Sequence, residues 1–291
     1  MSALPLESSN LVISQVLAKV SEIAVLPQVV YKVVEMTDGT DSSAQMIERA
    51  IVVDPGFSAK LLSQSNSAYY GLPRKVTSIR EAVMFLGFKA VRQLAMKVGV
   101  FDLFVGKSDA ESLRRRAWWR HSVDTAVCCK YLAEQCKRVT PDEAYTCGLL
   151  HYIGKTLLDR YNPEGFAEVQ SRLDLGLPDV DAEAEVYGCH HVEVGVAVAE
   201  RWGFPEVLIA GMEYVFEPNP DDPFFDLMAH VAISDRIAKL ALAGLKPANH
   251  EEALEHLPQW AVARLALGPD QLGTLIVGGA DAIARAASQG M

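Results

Sequence analysis

No apolar run in this chain of 291 residues approaches the roughly 20 uncharged residues that a membrane-spanning helix needs, which argues against membrane insertion. The first ten residues, MSALPLESSN, have no basic start followed by an apolar stretch, so a secretory leader is not expected. Positive charge is scarce: 27 Lys and Arg against 37 Asp and Glu leave a formal net charge of −10. So acidic a chain is repelled by phosphate backbones unless it carries a local basic patch, and nucleic acid is not an expected general partner. Cysteines number only five, an odd count, and two of them, Cys128 and Cys129, are adjacent. Neighbouring positions on a helix face different ways, so reduced thiols in a cytoplasmic protein are the simplest expectation. Period-2 alternation is nearly missing too, which excludes a sheet of any consequence.

What remains is ordinary globular composition, half hydrophobic and 22% charged, with abundant helix punctuation. Ser42-Ser43-Ala44-Gln45 and Ser78-Ile79-Arg80-Glu81 read as capping boxes, each followed by apolar residues at helical spacing. Thr140-Pro141-Asp142-Glu143 combines a cap, a first-turn proline and a closing glutamate; Asp222-Pro223 repeats the cap-then-proline pattern before a long segment ending near Leu245. Asp54-Pro55-Gly56 reads as a turn that stops a helix. The β-branched stretches Val29-Val30 and Ile51-Val52-Val53 sit inside 3.6-residue patterns and are assigned to helices. The expectation is an all-α protein of about a dozen helices. A break near Gly106-Lys107-Ser108-Asp109 suggests a helical N-terminal lobe over 1–107 and a helical bundle over 108–245. A C-terminal extension with two amphipathic helices over 246–291 completes the chain.

Chemistry-bearing residues fall at helix ends and faces of the second half. His121 follows Arg116-Ala117-Trp118-Trp119-Arg120; His151 closes a helix in Gly148-Leu149-Leu150-His151-Tyr152; His191 lies in Cys189-His190-His191-Val192-Glu193; Asp235 is mid-helix in His230-Val231-Ala232-Ile233-Ser234-Asp235. Imidazoles and carboxylates from several helices of one bundle are how such folds build divalent-metal sites. Two readings of His121, His151 and Asp235 stay open: a buried, mutually hydrogen-bonded polar cluster, or a weak three-ligand metal or ligand site. Cys189, His190 and His191 diverge by about 100° per step on a helix and do not form one metal cluster. Lys155, four residues after His151, is a candidate phosphate contact or a plain surface lysine. Glu213 is a candidate carboxylate ligand or a solvated side chain. Arg114 to Arg120 mixes guanidinium groups with Trp118 and Trp119, as nucleic-acid sites do, although a solvated helix face with its tryptophans in the core explains it as well.

The order of first His, His-x doublet and distant Asp resembles the HD superfamily of metal-dependent phosphohydrolases. The resemblance places the first histidine at His121, the doublet at positions 151 and 152, and the last aspartate at Asp235. The doublet reads His151-Tyr152, so the acid that would hold a metal, or bridge two, is replaced by a phenol with an ordinary pKa of about 10. Catalytic relatives carry further histidines after a Trp-x-x-Pro segment; here Trp202-Gly203-Phe204-Pro205 is followed by Glu213-Tyr214 where such a pair would fall.

Six segments in order narrow the resemblance to HDOD domains: Leu26-Pro27, Asp54-Pro55, Asn66-Ser67-Ala68, the Ala82 to Gly87 helix, Trp118 to His121, and Gly148 to His151 with its trailing Trp-x-x-Pro. The match spans about residues 20 to 240. It implies a helical N-terminal lobe on a degenerate HD-like bundle with no catalytic residue. It also implies a bacterial signalling role with a protein partner, and a nucleotide or cyclic dinucleotide as candidate ligand in a vestigial cleft of His121, His151, Lys155, His191 and Asp235. No cofactor is expected, with a divalent metal on His121, His151 and Asp235 as the exception. A weakly active metal-dependent phosphohydrolase and a nucleic-acid-binding regulator using Arg114 to Arg120 are the competing readings. Within this frame Gly87 and Gly195 are expected to allow close helix approach, and Asn66 to take a left-handed cap conformation bonded to nearby backbone.

Overall fold

A computed structural model of the chain describes residues 6–23, 28–38, 42–53, 55–67, 70–101, 104, 108–202, 204–244 and 256–288. Leu26-Pro27, Asp54, Ala68, Gly106-Lys107, Gly203 and Leu245, all used above, lie outside the described residues. Within them the fold is all-α, with no strand.

The helices in chain order are α1 (Leu6–Ile23), α2 (Gln28–Asp38), α3 (Ala44–Ile51), α4 (Pro55–Ser65) and α5 (Ile79–Phe101). Next come α6 (Asp109–Cys136), α7 (Pro141–Leu150), α8 (Ile153–Tyr161), α9 (Phe166–Asp174) and α10 (Asp179–Tyr187). The chain continues through α11 (His191–Arg201), α12 (Glu206–Met212), α13 (Phe225–Leu242), α14 (Gln259–Leu265) and α15 (Pro269–Ser288). They sort into two compact units. One holds α2 to α5 with the last turns of α15; the other holds α1 and the run from α6 through most of α15.

In the smaller unit, α2, α3 and α4 pack against α5, burying Val30, Val33, Ile47, Ile51, Leu61 and Val83. Asn66 ties the loop after α4: its amide donates to the carbonyls of Leu62 (3.0 Å) and Val76 (2.9 Å), and its Oδ1 accepts from Val76 N–H (2.8 Å). The expected backbone bonding is there, but Asn66 is not left-handed; among the described non-glycine residues only Lys137 and Ala266 have positive φ. Pro55-Gly56 opens α4 rather than making a turn, since proline at a first helical position loses no hydrogen bond. The α3 cap is Ser43, one residue later than the sequence suggests, with its hydroxyl accepting from Met46 N–H. Gly87 breaks α5 at φ 77° and ψ 165°, and a Cβ there would meet nothing within 4 Å. Its role is therefore backbone conformation and not close approach.

In the larger unit α6 is the spine. It lies along α7 and α13, while α8 packs on α11, and α12 on α7 and α11. Thr140-Pro141 starts α7 as expected, although the threonine hydroxyl makes no cap bond. Asp222 caps the turn into α13 by accepting from Phe224 N–H at 2.7 Å. The two C-terminal helices are present as α14 and α15, and all five cysteines are free thiols.

The α8–α11 contact is set by Gly154, not Gly195. A Cβ on Gly154 would stand 1.9 Å from the His191 carbonyl oxygen and 2.7 Å from the Gly195 nitrogen, whereas a Cβ on Gly195 finds ordinary contacts no nearer than 3.5 Å. This closeness holds the start of α8 against the start of α11, and so brings positions 151 to 155 beside His191. Gly154→Ala is expected to destabilise the protein by about 3 kcal/mol, because backbone on both sides blocks relief. Gly195→Ala should be neutral or stabilising by up to about 1 kcal/mol through helix propensity. Urea denaturation of the two variants reads the opposite signs directly.

Candidate functional site

The site grows from three helix positions. His121 faces inward from the middle of α6, His151 ends α7, and Asp235 sits mid-way along α13; all three are at most 5% exposed. His121 Nε2 lies 2.9 Å from Asp235 Oδ1 and 3.3 Å from His151 Nε2, and His151 Nε2 lies 3.5 Å from the same oxygen. Among the described residues this is the one group of metal-ligand type whose donor atoms all converge, within 4.8 Å of one another.

Protons can be placed on it by accounting. His151 Nδ1 is 2.6 Å from the Gly148 carbonyl, which can only accept, so Nδ1 carries the hydrogen. Burial pushes the His151 pKa down to about 4, against the opposing pull of Asp235, so the ring is neutral and Nε2 presents a lone pair. The hydrogen on His121 Nε2 then serves Asp235 Oδ1. The other carboxylate oxygen takes the Lys239 ammonium at 3.0 Å. Burial raises the Asp235 pKa, yet Lys239 and the two histidines outweigh it and hold the carboxyl far below its usual range. Asp235 is thus ionised and fully partnered.

A second layer surrounds Tyr152, where the resemblance called for an acid. The phenol is 4% exposed, and its O–H donates to Asp179 Oδ2 at 3.3 Å. Its ring centroid is 4.7 Å from that of His121, 4.3 Å from His151 and 5.5 Å from His191. The ammonium groups of Lys155 and Lys239 stand 4.8 and 5.6 Å from the ring centre, within cation–π range. Burial and the nearby carboxylates push the Tyr152 pKa well up, so it stays a neutral phenol. Tyr214, at the other departure from the catalytic pattern, packs edge-on against His151 at 5.1 Å. Its neighbour Glu213 is exposed and takes no part.

His191 and Lys155 join through carboxylates that no local pattern singles out. Glu183 Oε2 accepts from both the backbone N–H (2.8 Å) and Nδ1 (2.6 Å) of His191. Burial alone would raise the Glu183 pKa, but His191 and Lys155 hold it down to about 2. Lys155 is spanned by Asp179 Oδ2 at 3.0 Å and Glu183 Oε1 at 3.5 Å; burial works against its charge, and the two carboxylates overcome it and raise its pKa. It is neither a surface lysine nor one whose charge is uncommitted. Cys189 and His190 are not on a helix, contrary to expectation: α11 begins at His191, and His190 is its extended cap, in a box with Glu193; among the described residues the three do not form a metal-type group. Of the residues not anticipated, Lys239 had a readable signal, one turn after Asp235 on the same helix; Asp179 and Glu183 had none.

The donor geometry accommodates one divalent ion. A tetrahedral zinc with bonds of 2.0 to 2.1 Å has ligand–ligand edges of about 3.3 Å, close to the 2.9, 3.3 and 3.5 Å found here. The lone pairs of His151 Nε2 and Asp235 Oδ1 also face each other, which a cation would relieve. His121, His151 and Asp235 are the residues that would hold such an ion. Among the described residues no further carboxylate joins these three donors to bridge to a second ion.

The Arg114 to Arg120 run is mostly committed internally. Arg114 and Arg115 share the buried Asp159 carboxylate, with Nε to oxygen distances of 2.7 and 2.5 Å. Arg114 also stacks on Phe166, and Arg120 pairs with Asp124 at 2.8 Å. Trp118 and Trp119 pack on Phe166 and Phe104. Arg116 is left exposed.

The state of His151 has a consequence for stability. Its folded pKa of about 4 lies below the ordinary 6.5, so between these values the unfolded chain binds more protons and stability rises with pH. Acidification from pH 6.5 to 4 should therefore cost about 3 kcal/mol through this one group. Chemical denaturation across that range checks it. His151→Asn should show a clearly shallower slope, the remainder coming from His190 and His230, which burial also holds down.

With the geometry in place, comparison with known proteins identifies its relatives. A family model described as HDOD domain matches residues 23–218. An HDOD domain protein of unknown function from Geobacter sulfurreducens is 26% identical, with 97% of this chain and 96% of that one covered at a TM-score of 0.74. A Shewanella amazonensis protein whose phosphohydrolase assignment is provisional shares the fold at a TM-score of 0.71 and 24% identity, over 95% of each chain. An uncharacterized protein of Treponema pallidum (strain Nichols) is 25% identical over 226 residues, 75% of this chain and 42% of that protein, so the chain spans about two fifths of the length of this curated relative. The chain belongs to the HDOD domain family.

Proposed function

We propose that this protein is a non-catalytic signal-transduction and regulatory module that relays through a protein partner, with a nucleotide or cyclic dinucleotide as the ligand class of its degenerate HD cleft. The observation that carries the reading is Tyr152. Hydrolysis in a metal site needs a cation that makes hydroxide from water near neutral pH and an open position for substrate. Here the phenol ring packs against His121, His151 and His191, and its hydroxyl is turned to Asp179. Lys239 already neutralises Asp235, and its ammonium repels an incoming metal ion.

The second reading, a weakly active metal-dependent phosphohydrolase, is favoured by one fact, the near-tetrahedral spacing of the three donor atoms. No observation favours nucleic-acid binding, since Arg114, Arg115 and Arg120 are engaged by Asp159 and Asp124.

Restoring the acid separates the first two readings. The parent is expected to release no product from bis(p-nitrophenyl) phosphate in the presence of Mn²⁺, while Tyr152→Asp gains both Mn²⁺ affinity, by tenfold or more, and measurable turnover. Turnover by the parent that disappears in Asp235→Ala would establish the hydrolase reading instead.

A further inference from the structure

Beside the Tyr152 network lies a cavity of about 610 Å³, bordered by α13, the start of α10, and residues 256 to 258. That is the size of a small-ligand pocket. Its unfilled hydrogen-bonding capacity is lopsided. The carboxylates at its wall, Asp179 and Asp235, are taken up by Tyr152, Lys155, Lys239 and His121. The groups left over include a guanidinium, an ammonium, a phenol and one imidazole nitrogen. His191 lines the cavity with a side chain 1% exposed, and its Nε2 is buried without a partner while Nδ1 is held by Glu183. The Tyr214 hydroxyl and the exposed Arg236 guanidinium also line it, and neither has a hydrogen bond or ion pair among the described residues. Lys239 borders it and is one third exposed. Leu177, Val180, Val215 and Leu257 give the same cavity an apolar wall.

We infer that this cavity binds a small molecule carrying a phosphoryl group on an apolar or planar body, with the phosphoryl oxygens received by His191, Tyr214, Arg236 and Lys239. A buried polar atom without a partner is costly, and a ligand group that hydrogen-bonds to it removes that cost. With Nδ1 held by Glu183, Nε2 is the His191 ring atom left to form a hydrogen bond with a ligand hydroxyl or phosphoryl group. Arg236 and Lys239 add charge-assisted bonds at the oxyanion. Leu177, Val180, Val215 and Leu257 accept the body of the ligand. A neutral or cationic ligand would leave the Arg236 guanidinium without an anionic partner. This inference rests on the non-catalytic reading only in taking the ligand as held and not consumed.

The test is isothermal titration of the full chain with adenosine 5′-monophosphate, guanosine 5′-monophosphate and phenyl phosphate in metal-free buffer, with the nucleosides and inorganic phosphate alongside. At least one phosphate ester should bind. Its nucleoside or phenol should bind at least thirtyfold more weakly, and inorganic phosphate should compete. Arg236→Ala, a surface change that does not threaten folding, should weaken binding at least tenfold, and His191→Asn should do so with the circular dichroism spectrum unchanged. Failure of all three esters to bind at millimolar concentration overturns the inference, as does equal affinity for ester and nucleoside, or an Arg236→Ala variant that binds like the parent. Conversion of the bound ester to phosphate would instead overturn the non-catalytic reading while leaving the site intact, so the two failures are told apart.

Discussion

A single buried carboxylate organises the larger unit of this protein. Asp235 is 2% exposed on α13, and an unpaired charge in that position would cost several kcal/mol. Its two oxygens are met by His121 from α6 and Lys239 from its own helix, with His151 from the end of α7 alongside. The helices that carry the partners are those that form the core of the unit, so the electrostatic requirement and the hydrophobic packing select the same arrangement. A shift of α7 or α6 would both open the core and strand the charge.

The same logic extends outward. Three acids, Asp179, Glu183 and Asp235, stand among the ammonium groups of Lys155 and Lys239 and the imidazoles of His121 and His191. In a metal-dependent hydrolase a divalent ion supplies the positive charge that such acids require. Here lysines supply it covalently, and Tyr152 supplies a neutral, aromatic filling where a further acid would raise the negative charge again. Replacing the doublet acid with tyrosine therefore belongs to a wider rebalancing in which lysines of the chain meet much of the cluster's negative charge.

Much of this was legible in the sequence. The 3.6-residue patterns and cap residues gave an all-α fold, and His121, His151 and Asp235 were recognisable from their order along the chain, which resembles that of the HD superfamily. Long-range pairing was not legible. Glu183 sits on α10, eight residues before the histidine it holds, and nothing in the local pattern around Ala182 or Ala184 marks it as buried. Lys155 looked like an exposed lysine, because the acids that bury it lie across a loop and a helix. Glycine roles were also misassigned. Gly195 and Gly87 drew notice, yet the tight contact is at Gly154, a property of how two helices meet that no one-dimensional pattern encodes.

The central claim is that side chains, not a bound metal, neutralise the Asp235 cluster. Soaking crystals of the parent protein in zinc and measuring anomalous scattering tests it most directly. The account predicts weak or partial density between His121, His151 and Asp235, becoming strong when Lys239→Met removes the competing ammonium. A fully occupied ion in the parent at micromolar zinc, with the Lys239 side chain displaced from Asp235, would contradict it.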